Sequence, residues 1–261
     1  MTKKKTKRMV GSSTILFLLL FFWDIPPLQH YISDFNVGKP THFFNSKFGG
    51  LSEKDYAKLA KLDYKNSVTH DYILVNNNKS TLLTSAWKTN RINYANLDKL
   101  NRTSHSTTAF LEKRNVTTSF LRKRQYFEPT GWHHNRPNAE IYNRGHLIAY
   151  SLSRGINAQG NYSLSKKAGD QNNPKNLFTQ TAYSNQKIQT IFENKVRYAL
   201  LSGKKVIYQA TPIFRQSELM ARGINLQAIS TDRTLNFNVY IFNIQPSFIF
   251  DYQSGRAKVF K

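Results

Sequence analysis

His146 is the histidine whose sequence neighbours are chemically most informative. It ends the tetrapeptide Asn143-Arg144-Gly145-His146. An imidazole titrates close to neutral pH and can take a proton from a reacting group. The arginine beside it can hold a phosphate, and the glycine lets the backbone turn closely. The motif is therefore a candidate for proton transfer next to a bound phosphate.

Further along the chain, polar side chains recur at a spacing of four residues. They are Asn185, Gln189, Glu193 and Arg197. Each step of four turns an α-helix by only about 40°, so these side chains form one polar stripe. An apolar stripe, offset from the polar one, contains Ile188, Phe192 and Val196. Considered by itself, such a helix is best interpreted as an ordinary amphipathic surface helix, and only its combination with the His146 motif favours a functional site.

Several other kinds of site are excluded or disfavoured. The sequence contains no Walker loop, GxGxxG, HExxH or GxSxG motif. It also contains no cysteine, which excludes disulfide-linked partners, Cys-ligated zinc, iron–sulfur clusters and thiol catalysis. The pair His133-His134 is an alternative metal site, but adjacent side chains point apart in an extended chain, so it is the weaker candidate.

The periodicity of apolar residues predicts the elements that position these side chains. Strands are predicted over residues 72–75, 141–152, 176–181, 206–210, 226–230 and 235–244. The alternation in the last of these predicts one buried face. Helices are predicted over residues 183–200 and 52–62, the latter with Ser52 and Asp55 as a capping box. The basic stretch 91–125 predicts short helices with a charged outer face. Together these elements make a mixed α+β domain.

The joint pattern resembles the DNA/RNA non-specific endonucleases. It consists of Asn-Arg-Gly-His on a strand, the segment Asn176-Leu177-Phe178-Thr179-Gln180, and the polar residues of the following helix. These are the ββα-metal (His-Me finger) nucleases, whose signature is usually written Asp-Arg-Gly-His. Within the family, the chain is most similar to the exported DNA-entry and secreted nucleases of Gram-positive bacteria. The resemblance spans roughly residues 72–255 and implies a central antiparallel sheet flanked by helices.

The resemblance also implies the catalytic roles. His146 would be the general base that deprotonates the attacking water. Asn185 would be the single direct protein ligand of a Mg²⁺ ion, for which Mn²⁺ can substitute. Glu193 would orient a water molecule coordinated to the metal.

The remaining roles concern the phosphate. Arg144 and Arg197 would contact it, with Gln180 and Gln186 as weaker candidates. The sequence departs from the family signature at Asn143, where aspartate is commonest. Because asparagine carries no charge, the electrostatics beside Arg144 are expected to differ, but the base, the ligand and the phosphate contacts are all present.

The residue types fit this chemistry independently of the resemblance. Cleavage of a phosphodiester at neutral pH needs a base that is active near pH 7 and a cation facing the developing negative charge. Mg²⁺ keeps several of its waters and accepts few protein oxygens, so one asparagine is enough. Zinc would require more histidine or cysteine ligands than converge here. Contacts to phosphates alone carry no sequence information, so poor sequence specificity is expected.

The charge and the N-terminus indicate the partner and the location. The chain has 38 Lys and Arg against 15 Asp and Glu, a formal net charge of +23, which favours a polyanionic partner such as nucleic acid or an anionic membrane. A basic start followed by the apolar run 15–23 is typical of an export signal. This run is shorter than the roughly 17–25 residues of a spanning helix, so a cleaved signal peptide and a signal-anchor both remain open. The rest of the chain is expected outside the cell.

The predicted organisation is a signal peptide or signal-anchor over residues 1–23, a linker over 24–51 and a nuclease domain over 52–261. The predicted function is a Mg²⁺-dependent, sequence-non-specific endonuclease acting outside the cell on DNA, and also on RNA if its specificity is broad. One alternative is a catalytically silent nucleic-acid receptor with the same fold. Another is a polybasic protein that adheres to membranes or cell walls without hydrolysis.

Overall fold

The structure, a computed structural model, describes residues 46–65, 70–117, 122 and 124–260. The predicted signal segment and residues 24–45 of the predicted linker lie outside these residues. Within the part of the chain that is described, no helix has the length and apolar character needed to cross a membrane.

A six-stranded antiparallel sheet forms the centre of the fold. Its strands are β1 (Tyr72–Leu74), β2 (Arg91–Asn93), β3 (Thr107–Leu111), β6 (Val206–Ile213), β7 (Gly223–Ser230) and β8 (Asn236–Phe242). They lie in the order β1-β8-β7-β6-β3-β2. Two antiparallel pairs stand beside it, β4 (Tyr142–His146) with β5 (Leu177–Thr181), and β9 (Phe248–Asp251) with β10 (Arg256–Val259). The α-helices of the described residues are α1 (Glu53–Ala60) and α2 (Thr190–Leu201). The predicted α+β architecture, with a central antiparallel sheet flanked by helices, is confirmed.

Both faces of the central sheet are covered. Phe192 and Val196 of α2 pack into the same apolar cluster as Ala109 of β3 and Tyr208 of β6. Leu147, which follows β4 directly, joins this cluster, so the β4–β5 pair and α2 lie on the same face. On the opposite face, Leu59 of α1 packs with Tyr240 and Phe242 of β8. The consequence for the site is that the strand carrying His146 is brought next to the helix carrying Glu193.

The first helix begins where its capping residues predict. Ser52 is the N-cap of α1, and its Oγ accepts a hydrogen bond from the Asp55 backbone N–H at 3.1 Å. The same hydroxyl donates to the Asp55 carboxylate at 2.7 Å. Just before this helix, Leu51 is buried and Phe48 packs edge-on against Phe110 with the ring centroids 5.1 Å apart. The last residues of the predicted linker therefore contact the sheet, and the boundary at residue 52 stays a prediction.

The short helices predicted over residues 91–125 are wrong at 91–93 and 107–111, which form β2 and β3. One 3₁₀ turn, Lys113–Asn115, is helical, and residues 118–121 and 123 lie outside the described residues. Every residue of β3 is buried, since the strand lies between β2 and β6 and is covered on both faces. Such a strand shows no polar–apolar alternation, and its sequence Thr-Thr-Ala-Phe-Leu gives no period that would distinguish it from a helix. The same reason corrects the single buried face predicted for residues 235–244: Asn238 and Tyr240 of β8 are also buried.

The helix predicted over residues 183–200 is present but is not a uniform α-helix. It begins with a π-helical segment, Ser184–Gln189, and continues as α2. π-Helical turns are rare and often occur at functional sites. Because Asn185 lies in the π-helical segment and Glu193 in α2, the α-helical spacing does not describe their relative orientation.

Candidate active site

His146 lies at the end of β4, opposite Leu177 of β5, and its side chain is half-buried. Its Nε2 lies 3.2 Å from the backbone carbonyl of Gln171. The same nitrogen lies 3.3 Å from the amide Nε2 of Gln125, which is a donor. A carbonyl can only accept, so a ring proton on Nε2 would satisfy the Gln171 contact and leave the lone pair on Nδ1. Burial lowers the pKa of His146 to about 4, so the ring is neutral at pH 7. The ring is thus held in the form that accepts a proton.

Arg144 is fixed on the same strand by three contacts. Its Nε donates to the carbonyl of Phe127 at 2.6 Å, and its guanidinium lies over the Trp132 ring, 4.2 Å from the centroid. Its Nη2 is 3.6 Å from a carboxylate oxygen of Glu128. Among the described residues Nη1 has no hydrogen-bond partner, so this group remains free to donate to an anion.

Gly145 is required by a close approach across the β4–β5 pair and not by a turn. A Cβ atom at this position would lie 2.2 Å from Oε1 of Gln180. Gln180 is itself only 1% exposed and donates from Nε2 to Gln189 at 3.0 Å. Its side chain is therefore directed into the protein, where it supports the helix, and we do not include it among the proposed phosphate contacts.

Gln189 connects the strand of the base to the helix of the carboxylate. Its Nε2 donates both to the His146 carbonyl at 2.9 Å and to Glu193 Oε1 at 2.7 Å. Its Oε1 accepts from Gln180, so each polar atom of this fully buried amide has a partner. Burial raises the pKa of Glu193 to about 7, with the Gln189 hydrogen bond and the charge of Arg197 acting in the opposite direction.

This connection makes a prediction about stability. Replacement of Gln189 with leucine, which is of similar size, would leave the amide of Gln180 and the carbonyl of His146 buried without their partner. Each unpaired buried group typically costs about 1–3 kcal/mol. We expect a clear loss of unfolding free energy in urea denaturation. Gln159→Leu makes the same change at an exposed position outside this network and is the matched control, which should change it by no more than about 0.5 kcal/mol. Equal losses in both variants would contradict the bridging role.

Asn185 and Asn143 contact each other across the gap between helix and strand. In the amide orientation that satisfies both of its polar groups, Asn143 accepts from Asn185 Nδ2 at 3.3 Å and from Gln186 Nε2 at 2.8 Å. The oxygen of the half-buried Asn185 side chain has no hydrogen-bond partner among the residues that are described. Gln186 is exposed, and Arg197 donates from Nη1 to the Thr117 carbonyl at 3.3 Å.

The adjacent histidines have separate partners. His133 Nε2 contacts the Ser254 carbonyl at 2.9 Å, whereas His134 is exposed and lies 3.6 Å from Glu128. The two histidine side chains therefore contact different groups. The described residues contain no group of three or more His, Cys, Asp or Glu side chains that could hold a metal.

Sequence reasoning assigned no role to two residues of the site. Gln189 could have been recognised, because it lies four residues from both Asn185 and Glu193. Glu140 could not have been recognised, because nothing in the sequence shows that it contacts Gln186. In the structure Gln186 Nε2 donates to Glu140 Oε1 at 2.9 Å.

Comparison with known proteins identifies the family of this chain. A family model described as DNA/RNA non-specific endonuclease matches residues 79–232. Among solved structures, the chain is similar to NucA from Streptococcus agalactiae with magnesium ion bound, at 28% identity and a TM-score of 0.63, covering 80% of this chain and 98% of that chain. The NucA structure with no metal bound has 31% identity and a TM-score of 0.62, covering 79% and 95%.

The fold is also shared with Sda1 nuclease in a structure with bound zinc ion, at 21% identity and a TM-score of 0.56, covering 74% of this chain and 98% of that chain. The family match extends over more than half of the chain and contains His146, Asn185 and Glu193. The predicted ββα-metal nuclease fold and the predicted resemblance are confirmed: the chain belongs to the DNA/RNA non-specific endonuclease family.

Proposed function

We propose that this protein hydrolyses phosphodiester bonds of DNA, and of RNA as a second substrate, without base-sequence preference and with a divalent metal ion, Mg²⁺ or Mn²⁺. The observation that carries the proposal is the Gln189 bridge. A single buried amide holds the His146 strand and the Glu193 carboxylate together, at 2.9 Å and 2.7 Å. This arrangement fixes a proton acceptor beside a carboxylate, which a simple binding surface does not require.

The residues present fit a Mg²⁺ ion. Asn185 offers an amide oxygen that is unpartnered among the described residues, and its Nδ2 is held by Asn143. Mg²⁺ prefers oxygen ligands and is commonly bound by few protein groups, which agrees with the lack of a His/Cys/Asp/Glu cluster in the described part of the chain. When bound, the ion would supply positive charge to stabilise the pentacovalent phosphate and the leaving oxygen.

The side chains of the protein have three roles in the proposed reaction: accepting a proton, orienting water and binding the phosphate. The neutral His146 ring accepts the proton of the attacking water at Nδ1, while Nε2–H stays on the Gln171 carbonyl. Glu193, oriented by Gln189, accepts hydrogen bonds from water in the site. Arg144, and Arg197 from α2, donate to the phosphate oxygens, with Gln186 as an exposed further donor.

A plasmid-nicking assay with and without EDTA tests the proposal. We expect conversion of supercoiled to relaxed and linear plasmid with Mg²⁺, and none after chelation. Binding of the plasmid without any cleavage under both conditions would instead indicate the silent receptor.

We further propose that the domain acts outside the cell, after export directed by residues 1–23. The support is the basic, then apolar N-terminal sequence. N-terminal sequencing of the native protein distinguishes a cleaved signal from a membrane anchor. A start after residue 23 would show cleavage, and an intact start would show retention.

The basic residues beside the site make a prediction about salt dependence. Arg122 and Arg124 are exposed, and the charge of Arg122 acts on the His146 ring. Arg124 directly precedes Gln125, whose amide Nε2 lies 3.3 Å from that ring, so we place both arginines where nucleic acid would approach. Arg114, by contrast, is paired with Glu112. Each lost phosphate contact changes the slope of log K against log salt by about 0.9 on duplex DNA. We expect Arg122→Ala/Arg124→Ala to flatten the slope by about 2 units in fluorescence-anisotropy titrations.

The matched control for this experiment is Lys54→Ala/Lys258→Ala, which removes the same charge from exposed positions on α1 and β10. The control should leave the slope nearly unchanged. If both double variants flatten it equally, the binding surface is not localised beside His146.

A further inference from the structure

The carboxylate of Glu140 lies directly beside the amide that replaces the usual aspartate of the family signature. In the orientation that satisfies both of its polar groups, Asn143 Nδ2 donates to Glu140 Oε1 at 2.8 Å and to the Tyr142 carbonyl at 3.0 Å. Gln186 Nε2 donates to the same Glu140 oxygen at 2.9 Å. One carboxylate oxygen therefore receives two amide donors, from the strand and from the π-helical segment.

The contacts continue from these amides to Asn185. The oxygen of Asn143 accepts from Asn185 Nδ2 at 3.3 Å and from Gln186 at 2.8 Å. Because the Asn143 amide can present its oxygen to Asn185 only when its NH₂ group faces Glu140, the carboxylate determines which way this amide points. The orientation of Asn185 thus depends on Glu140, although no hydrogen bond joins these two side chains among the described residues.

We propose that Glu140 is a positioning residue, whose carboxylate orients the amides of Asn143 and Gln186 and, through Asn143, the side chain of Asn185. The inference rests on the proposed function in assigning Asn185 to the metal. It also explains the asparagine at position 143. An aspartate there would place a second carboxylate oxygen within about 3 Å of Glu140 Oε1 and of the Tyr142 carbonyl, where like charges repel.

Exchange of the two groups tests this arrangement. In Asn143→Asp, two carboxylates face each other at positions 143 and 140. In Asn143→Asp/Glu140→Gln, the carboxylate is at position 143 and the donor amide is at position 140, so one amide again faces one carboxylate. We expect Asn143→Asp to lose cleavage by about 10–100-fold, as is typical for residues that orient metal ligands. The double variant should recover about tenfold or more of that loss, which corresponds to the usual coupling between contacting groups.

Two further readouts separate positioning from a general effect on folding. Glu140→Gln keeps an acceptor oxygen and should retain more activity than Glu140→Ala, with kcat reduced more than DNA affinity. Thermal melting in EDTA, without metal or nucleic acid, should show Asn143→Asp below the wild type and the double variant raised again. Glu53→Gln on α1 makes the same carboxylate-to-amide change away from the β4–β5 pair and should leave cleavage unchanged.

The outcomes separate failure of the proposed function from failure of the role proposed for Glu140. If the wild type does not cleave, the proposed function fails and the melting cycle alone reports on the contact. If the wild type cleaves and the double variant is no better than Asn143→Asp in either cleavage or melting, Glu140 does not position this site.

Discussion

Replacement of His146 with alanine is expected to lower the rate of cleavage by about 10²–10⁴-fold, the usual contribution of a general base. The reason is that the neutral ring, held on the Gln171 carbonyl, is the base that the geometry offers for the attacking water. Binding of DNA should stay nearly intact, because it depends on the basic surface. Single-turnover cleavage and anisotropy measured on the same preparation separate the two effects.

A smaller substitution provides the control. His146→Gly leaves room for a free imidazole, so added imidazole should restore part of the activity to this variant and none to Asn185→Ala. Wild-type turnover in His146→Ala would show that another group is the base.

Replacement of Asn185 with alanine should abolish detectable cleavage at moderate Mg²⁺ concentration, because it removes the only proposed bond between protein and metal. Glu193→Ala should be milder, since groups that act through coordinated ligands typically contribute about 10–100-fold. Raising the Mg²⁺ concentration should therefore recover Glu193→Ala better than Asn185→Ala. Titration of Mg²⁺ in the nicking assay measures this order.

Folding must be followed in both variants, because Glu193 accepts a hydrogen bond from the buried Gln189. Glu193→Gln keeps an acceptor for that bond and is the more conservative comparison. If Glu193→Ala were the more severe loss at saturating Mg²⁺, with an unchanged melting curve, the roles assigned to these two residues would have to be exchanged.

Features set by neighbours in the sequence could be predicted. The capping of α1 by Ser52 requires only residues within one turn. The β4–β5 strands and the following helix were predicted in outline because each has a distinct local pattern of apolar residues. The family resemblance then placed His146, Asn185 and Glu193 in one region, and the packing of α2 beside the β4–β5 pair agrees with it.

Features that depend on distant pairing could not be predicted. β3 becomes a buried strand only because β6, about a hundred residues later in the chain, pairs with it. The residue type of Gln180 suits a phosphate contact, yet its side chain is buried and lies over Gly145. The contact between Glu140 and Gln186 joins residues that no helical or strand period relates.

The π-helical segment Ser184–Gln189 has a consequence for how this part of the protein can change during evolution. A π turn closes over one residue more than an α turn. The relative orientation of Asn185 and Glu193 around the helix axis therefore depends on how many residues separate them and on which type of turn those residues form. Loss of one residue from this segment with conversion to an α-helix would change that orientation little, because the tighter α turn holds one residue fewer. Loss of one residue from the α-helical part between Thr190 and Glu193 would instead rotate Asn185 relative to Glu193 by about 100°. Descendants of this sequence can therefore exchange exposed side chains such as Lys187 and keep the two groups together, whereas a deletion in the first turn of α2 would separate them in a single step.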